Sequence, residues 1–150
     1  MGNNTVISDL KGLINIINDG KEGYEAAAEA IEKPALKAEF LKFAAQRAVY
    51  AQELKAHILK HGDVSENENG GILGVLHRTW IDIKQALSSK EEEAILGAIE
   101  TGENAALAKY DQALEDHAHH ADHLALLKEQ RDGILSALKE IEVLHQALKY

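Results

Sequence analysis

Apolar positions recur along this chain at steps of three and four, and nowhere do they alternate with the two-residue period of a half-buried strand. That pattern predicts an all-α protein. The first helix is expected over residues 5–33, with Val6, Leu10, Leu13, Ile17, Gly20, Tyr24, Ala27 and Ile31 on its inward stripe. Pro34, the only proline, suits the first turn of a second helix over 34–61, where its missing N–H would have no helical partner anyway. The seam of that helix runs Leu36, Phe40, Phe43, Arg47, Tyr50, Leu54 and Ile58. Residues 62–71 are Gly, Asp, Ser, Glu and Asn with a single valine, the composition of a solvated loop. A short helix over 72–87 follows, apolar along Ile72, Leu76, Trp80, Ile83 and Leu87. Ser89-Lys-Glu-Glu92 has the spacing of a capping box and opens a helix over 90–116, with Ile95, Ile99, Gly102, Glu103, Ala106, Tyr110 and Ala113 inward. The last helix, 118–148, turns His120, Leu124, Leu127, Arg131, Ile134, Leu138, Ile141, His145 and Leu148 to one side.

Four long helices with a long middle link predict a four-helix bundle, and the 72–87 helix is long enough to cross between the second and third. At 150 residues the chain fits one domain spanning 1–150, a size that buries roughly 70% of its unfolded surface.

Within this bundle Arg47 stands out, because a long cation on an apolar seam demands a buried carboxylate. Arg47 lies 13 residues after Pro34 and Gly20 lies 14 before it, so the two face each other across the first turn. Glu103 and Arg131 each lie 14 residues from His117, in the turn between the last two helices. The expectation is a buried ionic layer of Arg47, Glu103 and Arg131, with Gly20 leaving room for the guanidinium. The alternative is that Arg131 extends to solvent and Arg47 meets a flanking acid such as Glu25.

Sixteen basic residues against twenty-five acidic ones give a net charge of -9, which opposes phosphate backbones and anionic lipid, so neither nucleic acid nor membrane is an expected partner. A homodimer stays open, and no particular protein partner is indicated. No cysteine means no disulfide and no thiolate chemistry. The start, Met1-Gly-Asn-Asn-Thr, is unlike a secretory signal, and a cytoplasmic protein is expected.

Asp19-Gly-Lys-Glu-Gly-Tyr-Glu-Ala-Ala-Ala-Glu29, Gln46-Arg47-Ala48, Gln52-Glu53-Leu54, Leu76-His-Arg-Thr-Trp80-Ile-Asp82 and Glu100-Thr-Gly-Glu103 with Tyr110 are next to be considered together. In these segments the chain resembles a bacterial ferritin-like family catalogued as domain of unknown function 2383. The resemblance implies a ferritin-like bundle without an established activity, with the crossover between the second and third helices. The chain departs from the family pattern in the last helix, where a His-Asp pair is expected near Leu138 and Lys139, and in its histidine-rich final turn.

Ferritin-like bundles often hold two metal ions, using an inward Glu on each of two helices and a Glu-x-x-His on each of the others. Here the first helix has no acid on its inward stripe, Glu53 and His57 are expected to turn away from the Arg47 seam, and Glu142-Val-Leu-His145 is the only Glu-x-x-His. A central guanidinium would also repel cations. No cofactor is therefore expected, and the alternative is an iron or manganese site drawn from Glu22, Glu25, Glu53, Glu100 and Glu103. A second candidate is the surface cluster His117, His119, His120 and His123, where imidazoles four residues apart could chelate zinc, nickel or copper. His77 and Trp80 fit docking of the crossover helix better than chemistry, and Tyr24, Tyr50 and Tyr110 fit core aromatics. The reading that results is a non-catalytic structural, stress-associated or interaction protein. Its rival is a di-metal oxidase or iron-handling protein.

Overall fold

The computed structural model describes residues 2–60, 85–88, 91–116 and 121–148. Four long helices account for nearly all of them: α1 (Gly2–Ala30), α2 (Pro34–Lys60), α3 (Glu92–Asp116) and α4 (Ala121–Ala147). No strand occurs among the described residues. Of the crossover helix expected over 72–87, residues 85–87 are helical and the helix includes residue 88, while 72–84, with His77 and Trp80, lie outside the described residues. Ser89 and Lys90 of the expected capping box also lie outside them.

Helix α1 stops three residues earlier than the periodicity suggests. Proline crowds the residue before it out of the helical region, so Lys33 cannot continue α1 into Pro34. The break is short and well bonded: the Ile31 amide donates to the Ala27 carbonyl at 3.0 Å, and the Lys37 amide to the Lys33 carbonyl at 3.0 Å. At the start of α3, Glu92 and Glu93 face the positive end of the helix dipole.

Helices α1 and α2 pack as one antiparallel hairpin, α3 and α4 as another, and α1 also packs on α3. The direction of that last contact follows from two side-chain pairs. Tyr24 reaches Glu103, and Lys33 reaches Glu92 at 3.1 Å, so α3 descends as α1 ascends. Between α2 and α4 the pairs are Lys42 with Glu140, the Tyr50 carbonyl with Gln130, and His57 with His123, which is again antiparallel. Helices α2 and α3 therefore run the same way on one diagonal. The end of α2 lies beside the start of α4, whereas the start of α3 lies beside the α1–α2 turn, so Lys60 and Glu92 sit at opposite ends of the bundle.

The core falls into two apolar clusters stacked along the bundle. One joins Leu10, Ile14 and Ile17 to Leu54, Ile58, Leu107, Leu127 and Ile134. The other joins Ala27 and Ile31 to Leu36, Phe40, Phe43, Ile95, Leu96 and Ile141. Arg47 and Glu103 occupy the level between them. Helix α1 is buried all round in its middle, from Leu13 through Ile17, as suits a stretch apolar on nearly every side.

Candidate functional site: a buried ionic layer

Arg47 is 1% exposed and Glu103 4% exposed, which puts a full cation and a full anion inside the bundle. Their geometry is a planar fork. Nη1 donates to Oε1 and Nη2 to Oε2, both at 2.6 Å. Such bidentate pairing is what a guanidinium forms best, and it recovers part of the several kcal/mol per ion that desolvation costs. The remaining polar atoms are also engaged. Arg47 Nε donates to Gln46 Oε1 at 3.0 Å, and the Tyr24 hydroxyl donates to Glu103 Oε2 at 2.6 Å.

Each helix shapes the layer in its own way. On α1, Gly20 faces the guanidinium, and a Cβ there would stand 3.4 Å from Arg47 Nη1, an ordinary van der Waals contact, so the room expected of this glycine is not required by the packing. One turn on, the Tyr24 ring lies 5.4 Å from the guanidinium carbon and packs on Phe43 at 5.4 Å between centroids. Helix α3 contributes Glu103, and the second apolar cluster seals the layer on the Phe40 and Phe43 side. Burial alone would lower the Arg47 pKa, but the charge and hydrogen bonds of Glu103 more than offset this, and the net shift is upward. Burial, then the charge of Glu103, push the Tyr24 phenol well above its usual range, so it remains a neutral donor. Both carboxylate oxygens are engaged, and the cation on them is Arg47 itself.

Arg131 does not join this layer, contrary to the expectation. It lies at the α3–α4 flank, bound to Asp111, with 30% of its side chain exposed. Two features move it there. The pairs Tyr110–Gln130 and Asp111–Arg131 are each 20 residues apart, so residues at equal height on α3 and α4 have a midpoint near 120–121 rather than 117, which takes Arg131 away from the level of Glu103. The buried seam of α4 is also His123, Leu127, Gln130, Ile134, Ala137, Leu138 and Ile141, which puts Gln130 inward and Arg131 beside solvent. Leu148, expected inward, is exposed.

Gln130 builds a second polar level. Its Oε1 accepts from the Tyr110 hydroxyl at 2.7 Å, and its Nε2 donates to the Tyr50 carbonyl and to Glu53 Oε1, each at 3.1 Å. Burial raises the Tyr110 pKa and, less strongly, that of Tyr50. Glu53 and His57 do not turn away from the interior as expected; both are half-buried and meet α4, at Gln130 and His123 respectively. His123 is itself buried, 3% exposed, edge-on to the His57 ring, and so is not part of a surface cluster. His117, His119 and His120 lie outside the described residues.

The five acids weighed as an iron or manganese site are dispersed. Glu22 is exposed, Glu25 pairs with Lys21 at 3.5 Å, Glu53 meets Gln130, Glu100 meets His145 at 3.1 Å, and Glu103 is held by Arg47 and Tyr24. No three metal-ligating side chains converge among the described residues. Iron or manganese does not fit here, because both Glu103 oxygens already accept from the guanidinium.

Among the described residues, no helix is long and apolar enough to cross a membrane. Residues 5–116 match a protein family described as Domain of unknown function (DUF2383). No curated protein matches the chain.

Proposed function

From the chain's membership of the DUF2383 family, and from the ion pair that fills its bundle at mid-height, we propose a ferritin-like four-helix bundle that is non-catalytic and works as a cytoplasmic structural, stress-associated or interaction protein. The observation that carries this reading is the occupancy of Glu103: Arg47 takes both of its oxygens and Tyr24 adds a third bond. An acid bound in this way already has a cation on both oxygens, and that fixed positive charge repels a second one. The ferritin-like placement draws support from topology, since parallel α2 and α3 on a diagonal with Lys60 and Glu92 at opposite ends is the arrangement of a bundle with one long crossover.

Elemental analysis of protein purified without an affinity tag tests the proposal. Iron and manganese should be far below one per chain, and Glu103→Gln should leave that content unchanged. Stoichiometric iron or manganese that disappears in Glu103→Gln would overturn the reading in favour of a di-metal oxidase or iron-handling protein.

A further inference from the structure

Where α2 ends and α4 begins, two imidazoles meet. His57 Nε2 and His123 Nδ1 stand 2.5 Å apart, and the rings cross edge-on at 80° with their centroids 4.7 Å apart. His123 is buried and His57 half-buried, so one ring belongs to the interior and the other to the rim of the bundle. Helical spacing dictates the meeting. Tyr50, Glu53 and His57 follow one another at steps of three and four on the flank of α2 that meets α4, and His123 opens the buried seam of α4, four residues before Leu127. Neither the Arg47–Glu103 level nor the Gln130 level uses this pair.

A hydrogen bond between neutral imidazoles needs one ring nitrogen as donor and the other as acceptor. The nitrogens that face each other here are also atoms through which imidazole binds a metal, and imidazole suits zinc, nickel and copper. With bonds of about 2.0 to 2.1 Å at a tetrahedral angle, two ligating nitrogens lie roughly 3.3 Å apart, so the rings would part by about 0.8 Å to admit an ion. His57 has the freedom to move that far, because it stands at the rim. The ion then takes a lone pair from each ring, and the proton of the donating nitrogen passes through water to the other nitrogen of the same ring. Both imidazoles stay neutral, and water fills the remaining coordination positions on the solvent side. Local charge favours this. Glu53 lies one turn before His57 on the same flank, whereas Arg47 lies ten residues back along α2, roughly 15 Å away, where its repulsion is much weaker than at Glu103.

We propose that His57 and His123 bind one divalent late transition ion of the zinc class, which joins the end of α2 to the start of α4. The two nitrogens converge only when the helices are packed, so the ion binds the folded chain and stabilises it. Two protein ligands with exchangeable waters make a site that fills and empties with the ion's concentration. The proposal concerns one end of the bundle and is independent of what Glu103 holds.

Thermal scans and calorimetric titration of the full chain, purified without an affinity tag and stripped with chelator, test it. Zn²⁺ at about 100 times its dissociation constant should raise the melting midpoint by roughly 5 to 10 °C, whereas Mg²⁺, which prefers oxygen ligands, should not. His57→Gln and His123→Gln should each abolish the rise, measured against that variant's own midpoint in chelator, and each should remove one zinc ion per chain in the titration. His57→Gln alters a half-buried position and so keeps the test open if the substitution at buried His123 prevents folding. Zinc binding should also weaken below about pH 6, where protons compete for the imidazoles. No rise with Zn²⁺, an equal rise with Mg²⁺, or a rise that survives either substitution, as binding by His117, His119 and His120 alone would leave, would each overturn the proposal.

Discussion

At the level of Arg47 the bundle buries a formal ion pair, whereas at the level of Tyr110, seven residues or roughly 10 Å along α3, it buries a phenol and an amide that reach a half-buried carboxylate only at their edge. Both levels are satisfied, yet they respond differently to loss. An isolated buried charge has no inexpensive fallback, so the ionic level tolerates removal of both partners better than of one. The amide level consists mostly of neutral dipoles, and the loss of one bond there leaves a smaller desolvation penalty.

The largest expected effect comes from breaking the ionic level on one side. Arg47→Ala strands Glu103 and should lower unfolding free energy by about 3 to 5 kcal/mol. In urea titrations the double variant Arg47→Met with Glu103→Leu should regain most of that loss, because apolar groups of similar volume remove the charge problem altogether. Arg131→Ala is the matched control on an arginine that pairs at the surface: its partner Asp111 is 53% exposed, and its loss should cost about 1 kcal/mol or less. Equal losses for the two arginines would place Arg47 outside the core.

A finer comparison uses the two tyrosines that donate into the two levels. Tyr24→Phe removes a hydrogen bond to a charged acceptor and should cost about 1.5 to 3 kcal/mol, whereas Tyr110→Phe removes one to an amide oxygen and should cost about 1 kcal/mol. The same urea titrations measure both. If Tyr110→Phe cost as much as Tyr24→Phe, the distinction between charged and neutral levels would not hold.

Much of the ionic level was legible in the sequence and little of the amide level was. Arg47 is the single charge on an otherwise apolar seam, and Gly20 and Arg47 lie nearly the same number of residues either side of Pro34. That turn is short, so counting from it gives the right height. Counting from His117 misleads because α3 and α4 match in height about a midpoint three to four residues further on, as the pairs Tyr110–Gln130 and Asp111–Arg131 show. The α4 pattern misleads the phase as well. Leu127, Ile134 and Ile141 belong both to the heptad that includes Leu124, Arg131 and Leu138 and to the one that includes His123, Gln130 and Ala137. A shared apolar set cannot say which polar neighbour turns inward, and the bundle buries the amide while the guanidinium keeps its solvent. Tyr24 was visible as an inward aromatic one turn after Gly20, and its hydroxyl needed an acceptor at about the level of Glu103.

The smallest expected effect concerns a carboxylate whose neighbour is another acid, the reverse of Glu103 beside its cation. Burial first, and then the charge of Glu22, raise the pKa of half-buried Asp19 from the ordinary 3.8 to about 6. Between those two values the folded chain holds a proton that the unfolded chain has released, so stability falls as pH rises through that window and the penalty is complete above about pH 6. Asp19→Asn should therefore melt higher than the wild type near pH 7.5, with the gap closing as pH falls towards about 4, in thermal scans at constant ionic strength. A gap that did not change with pH would mean that the asparagine side chain packs better at this position rather than that Asp19 resists ionisation. Because Asp19 keeps much of its hydration, the gain should stay well below the loss from Arg47→Ala, and this ordering tests whether depth of burial sets the cost of a misplaced charge in this bundle.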